Sequence, residues 1–352
     1  MRPLVRSAEH LAVCVLLVTV VPRPVAAQAM STMYDRTVVA KEQGRLESRI
    51  KEIYARAFEP SLTPEERRAL SGVALQVPLD GDPVYGDHDP VIGYYSHSRT
   101  RVVTMPAISL LFFEELCVAI AWLQVNGYRL ETVEEYVAML KYKDARAFGG
   151  RYAPPLKALG IPVNAVGDPK VNDLSLRFRN SGYAFILAHE LGHIRYQHPG
   201  NDGVPVAVSQ ANERQADQFG LDLMRRTSTI PMGAMLYFQA GIYYFDNRAD
   251  YPSDAAWQAY LSRTATHPLT VDRLEGMSRG LSALAEDFAR GQPNRAAAIE
   301  TTRWIGDRFA EFAAFLKDPD LQRAIRAKAE RSSVTSLKPR RERETIADFP
   351  RQ

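Results

Sequence analysis

The sequence predicts a mainly α-helical (α+β) protein with one small β element and additional helices packed around it. Three observations carry that expectation. Apolar residues recur at helical spacing in segment after segment, and the last three such segments open on proline at or near the first turn. The one stretch with strand character, Arg101-Val102-Val103-Thr104-Met105, is short and follows a loop-like region rich in Gly, Pro, Asp and Tyr.

In chain order, Met33 to Phe58 reads as an amphipathic helix with Val39, Leu46, Ile50, Ile53 and Tyr54 on one face, ended by Pro60 and Pro64. Asp80 to Arg101 reads as loop leading into the short strand and a small sheet. After Pro106 an apolar helix runs to about Gly127, and a second spans Glu131 to about Lys143. Gly149 to Asp173 reads as a long loop, long enough to close over a site and hold an enzyme latent. The next helix is predicted to begin near Asn180-Ser181-Gly182 and to carry His189 to Ile194; being apolar on nearly all sides, it should be buried. Further helices are predicted at about Val208–Arg226, Pro231–Asn247, Pro268–Arg290 and Pro293–Leu316. Residues 321–352 read as a charged, flexible tail.

The 352 residues are 46% hydrophobic and 24% charged, the composition of an ordinary globular chain with ample core. With 44 basic against 41 acidic residues the net charge is only +3, which argues against nucleic acid or anionic lipid as partner. Arg2 and Arg6, the apolar run Leu11–Val21 and the small residues Val25-Ala26-Ala27-Gln28-Ala29 read as a secretory signal peptide over 1–27, cut after Ala27 or Ala29. The apolar run has about half the roughly 20 residues of a membrane span, so a permanent anchor is the lesser alternative. Leu110–Val125 is interrupted by Glu114 and Glu115, so no stable span is expected after cleavage and the mature domain, 28–320, should be soluble and exported. Cleavage removes Cys14 and leaves Cys117 alone in an apolar run, where it reads as a core residue with no disulfide partner.

The chemistry is concentrated in His189-Glu190-Leu191-Gly192-His193. On a helix, positions i and i+4 lie about 5–6 Å apart on one face, so His189 and His193 can offer two imidazole nitrogens to one ion, with Glu190 beside it. A catalytic zinc site takes three protein ligands and keeps a position open. Glu213, in Asn212-Glu213-Arg214-Gln215-Ala216-Asp217, is the best third ligand, since its helix can return antiparallel after the Pro199-Gly200-Asn201 turn. Asp217, one turn further, can accept a hydrogen bond from the outer nitrogen of a liganding histidine. Two His and one Glu suit one Zn2+ per chain, with Glu190 as general base for a water attacking a carbonyl. Gly192 would let a second helix approach the site. His198 falls off the ligand face and reads as a helix end, while His88 and His97 read as surface. Tyr237, Tyr243 and Tyr244 either supply a phenolic hydrogen bond to the reaction or pack between helices.

Three motifs then carry a resemblance: the His189–His193 motif, Glu213-x-x-Ala216-Asp217-x-x-Gly220, and Thr266-His267-Pro268 with Arg273. Over roughly residues 176 to 280 the chain is similar to the HtpX and CAAX-prenyl-protease family of gluzincin metallopeptidases, and looks more like soluble periplasmic members than membrane-embedded ones. The resemblance implies a zincin-like core, with His267 near the metal cleft as a catalytic or regulatory group and Arg273 in a contact that includes Asp217. As residues alone, His267 equally reads as a helix-start cap before Pro268. The combined expectation is a zinc endopeptidase of exported or misfolded polypeptides in the bacterial envelope, serving quality control, with room for a regulatory or envelope protein partner. The alternative is a zinc-bound chaperone or scaffold with little or latent activity.

Overall fold

A computed structural model describes residues 33–79, 92–200, 204–263 and 268–340. The leader, 1–27, and the end of the tail lie outside the described residues.

Among the described residues the chain is mainly helical with one three-stranded sheet. Helix α1, Arg36–Glu52, is capped by the Asp35 carboxylate on Thr37 N–H and buries Val39, Leu46 and Ile50. It widens into a π-helical segment, Ile53–Phe58, so the predicted helix persists with a change of pitch. Pro64 opens α2, Pro64–Ala69, under a reciprocal Thr63–Glu66 capping box. Strands β1 (Ala74–Gln76), β2 (Tyr95–His97) and β3 (Val102–Thr104) lie in the order β1-β3-β2, with β1 parallel and β2 antiparallel to β3. Ser96 pairs with Val103, and the two-residue period puts both on the face toward the central helix.

Helix α3, Ala107–Val125, is apolar on nearly all sides and forms the core with α5, Pro169–Arg195. Its 19 residues are long and apolar enough to cross a membrane, contrary to the expectation that Glu114 and Glu115 cut the run short, and 67% of the apolar window is buried inside the fold. Glu114 is neutralised there by Arg45 and Arg179. Helix α4, Glu131–Tyr142, follows.

The predicted Gly149–Asp173 loop is corrected. It contains a short helix, Pro155–Ala158, and a 3₁₀ turn, Ala165–Gly167, and it buries Tyr152, Leu159 and Ile161. Leu156 N–H donates to Glu115, next to the Glu114–Arg179 pair, so this segment is seated beside the first half of α5. Arg179 and Glu190 stand about 16 Å apart along that helix. Helix α5 itself starts at Pro169, capped by Asp168, and reaches Arg195: 27 residues, about eleven earlier than expected. Asn180, Ser181 and Gly182, near which the sequence predicts the helix to begin, are mid-helix residues at a tight crossing. There α7, Met232–Tyr244, comes so close that a Cβ on Gly233 would sit 1.9 Å from Phe178 O, and Gly233 N–H donates to Ser181 Oγ at 2.8 Å.

Between these helices runs α6, Val206–Arg226, packed on α5. Helix α8, Asp254–Arg263, was not predicted. Helices α9 (Val271–Phe288) and α10 (Arg295–Lys317) form a long hairpin, with α9 also against α6. The supposed tail begins instead as helix α11, Pro319–Arg331, packed on α4. Gln322 donates to Phe315 O and Leu316 O there, and Ser332 Oγ donates to Glu135 at 2.5 Å.

Candidate metal centre

The centre lies where α5 crosses α6. A Cβ on Gly192 would stand 3.0 Å from Ala216 Cα, so the missing side chain brings the two backbones together and carries Glu213 to the histidine face of α5. His189, His193 and Glu213 are all buried, with one donor atom from each lying within 4.8 Å of the others. The separations are 3.1 Å between the two Nε2 atoms, 3.5 Å from His189 Nε2 to Glu213 Oε2 and 3.3 Å from His193 Nε2 to Glu213 Oε1. Ligands about 2.1 Å from a tetrahedral ion stand about 3.4 Å apart, and these separations, the last two taken to different oxygens of Glu213, lie close to that value.

Around this triangle runs a buried layer of charges. His189 Nδ1 donates to Asp217 Oδ1 at 2.9 Å. Arg273, at the start of α9, grips Asp217 with Nε and Nη2 at 2.8 and 2.9 Å, reaches Glu213 Oε2 with Nη1 at 2.9 Å, and donates to Pro268 O. Burial alone would raise the Asp217 carboxyl, but Arg273 and His189 hold it below the usual carboxylate range. Burial works against a charged His189, yet Asp217 and Glu213 outweigh it and raise this imidazole to about 10, so His189 is the cation between the two carboxylates when no metal is bound. The Arg273–Asp217 contact implied by the resemblance is present.

Glu190, 2% exposed, accepts from Ser96 Oγ at 2.8 Å, so β2 orients the carboxylate of the residue that follows His189. Ser98, in the turn after β2, donates to His193 O and His198 O. His198 departs from its reading as an unremarkable helix end. The chain turns at Gln197, whose φ is 55°, and folds the His198 ring back under the site, 3.0 Å from His193 Nδ1. Of the three tyrosines, Tyr237 faces the centre: burial raises its phenol most, Arg273 opposes, and Glu190, Glu213 and Asp217 add to the rise, so it stays a protonated donor. Tyr243 instead pairs with Glu134, and Tyr244 packs against Phe245. His97 is exposed. His267 and His88 lie outside the described residues.

Residues 201–279 match the model of peptidase family M48. The match covers less than a quarter of the chain, holds Glu213, Asp217 and Arg273, and begins just after the histidine motif of α5. It indicates a metallopeptidase, and the three-donor group is one that could hold its metal ion. No curated protein and no solved structure matches the chain.

Proposed function

We propose that the protein is a zinc-dependent endopeptidase that hydrolyses exported or misfolded polypeptides in the cell envelope. The observation that carries this reading is the buried His189–His193–Glu213 group, whose donor atoms lie close enough to share one ion, with Glu190 next to His189 in the chain and its carboxylate held by Ser96. A zinc ion held by these three residues would supply Lewis acidity, lowering the pKa of a water toward neutrality and polarising the scissile carbonyl. Glu190 takes the proton of the attacking water and passes it to the leaving amine, with Ser96 holding the carboxylate in place. Tyr237 donates its phenolic hydrogen to the oxygen on which negative charge develops. Asp217 and Arg273 keep His189 and Glu213 in register, and the resemblance assigns His267 a catalytic or regulatory part.

A purely structural zinc site has no use for a general base, and that separates the peptidase from a zinc-bound scaffold or chaperone. The leader, with Arg2 and Arg6 before Leu11–Val21, motivates the envelope location and a soluble or peripheral mature form. The test compares casein cleavage by the mature protein with that of Glu190→Gln at equal zinc content. Cleavage lost in the variant supports the peptidase; a zinc-loaded parent that cuts nothing favours the scaffold.

A further inference from the structure

His193 directs Nε2 into the donor triangle and turns Nδ1 outward, 3.0 Å from Nδ1 of His198. A hydrogen bond between two imidazole nitrogens requires that one carry the proton and the other a lone pair. If Nε2 of His193 gives its lone pair to a metal, its proton sits on Nδ1, and His198 Nδ1 must accept. The proton of His198 then belongs on Nε2, and that atom stands 2.9 Å from Gln215 Oε1, an amide oxygen that can only accept. With the Gln215 amide oxygen toward His198, the chain His193–His198–Gln215 is satisfied in the tautomeric sense in which His193 offers a lone pair to the site.

Several contacts hold this relay in place. His198 is buried, its N–H donates to His193 O at 3.0 Å, its carbonyl accepts from Ser98 Oγ at 2.8 Å, and the Tyr196 ring stacks on it with centroids 5.7 Å apart. Gln215 is two residues from Glu213 on α6, so one helix brings both a donor to the triangle and the group that orients the relay. The two histidines are thus backed differently: His189 by the ionised Asp217, and His193 by a neutral imidazole and an amide.

We infer that His198 and Gln215 are positioning residues that fix the tautomer and ring orientation of His193 and so set the affinity of the centre for zinc. The inference rests on the proposed zinc site. Loss of a group that orients a metal-binding histidine weakens metal affinity roughly 10–100-fold. The experiment is zinc competition against a chromophoric chelator for the mature parent, His198→Leu, His198→Asn and Gln215→Leu, with histidine nitrogen NMR on the metal-free and zinc-loaded parent. His198→Leu is expected to bind zinc at least tenfold more weakly. His198→Asn, whose amide can accept from His193 and donate to Gln215, should recover most of the loss. Gln215→Leu should fall between, and it carries the test if His198→Leu does not fold. NMR should show His198 protonated on Nε2 with and without zinc. Zinc affinity within twofold of the parent in the folded His198→Leu and Gln215→Leu variants, an Asn variant no better than Leu, or a His198 proton on Nδ1 overturns the inference and leaves the zinc site standing. A parent that binds no zinc overturns both.

Discussion

Replacing Arg273 by leucine tests how the centre is held together. The guanidinium is 3% exposed and makes a two-pronged contact with Asp217, a third bond to Glu213 and a fourth to Pro268 O. Its removal leaves two buried carboxylates sharing the single positive charge of His189. Breaking a buried ion pair by deleting one partner costs about 3–5 kcal/mol. At about 2 °C per kcal/mol for a domain of this size, thermal unfolding of metal-free protein should fall by roughly 6–10 °C. Arg273→Lys keeps the charge but not the planar fork, and should lie between parent and leucine variant. Unfolding followed by circular dichroism reads the shift. A leucine variant within about 1 kcal/mol of the parent would refute the view that Arg273 neutralises this pair of carboxylates.

Glu115 gives a pH-dependent prediction. Burial raises its carboxyl from 4.5 to about 7 against the opposing Leu156 N–H bond. Its folded value exceeds its unfolded one, so its contribution to stability is full below pH 4.5 and is lost as pH rises through 7. The loss is about 3 kcal/mol at most. Glu115→Gln should therefore match the parent at pH 4.5 and exceed it at pH 8 in urea unfolding; a difference that does not change with pH contradicts the assignment. Gly233→Ala places a methyl against Phe178 O and Gly182 N, both backbone atoms, and should cost about 3 kcal/mol or more in the same assay, whereas near-parental stability would mean that α7 is not seated as described. Tyr237→Phe should lower kcat about 100-fold with KM little changed, and unaltered kcat removes the phenol from the reaction.

The features legible in the sequence were those written locally. The spacing of His189 and His193, the position of Glu190 and the one-turn relation of Glu213 to Asp217 are properties of single helices, and the helical class follows from periodicity summed over many segments. The missed features depend on contacts between segments. Ser96 reaches Glu190 across 94 positions from a three-residue strand too short to show a pattern. His198 returns to His193 because one residue, Gln197, takes a left-handed conformation that periodicity cannot register. The start of α5 was misplaced because its first turns bury only Val171, Ser175 and Phe178, while Asn180-Ser181-Gly182 imitates a cap; its small residues serve the crossing with Gly233. Helix α11 escaped because its long charged side chains dominate its composition, although Gln322 and Ala329 are buried.

The most direct measurement of the central claim is the zinc content of purified mature protein beside His189→Ala and Glu213→Ala. The account predicts one zinc per chain in the parent and almost none in either variant, with circular dichroism showing all three folded. A metal-free parent, or zinc retained at full occupancy in both variants, would contradict the assignment of His189, His193 and Glu213 as the metal's ligands.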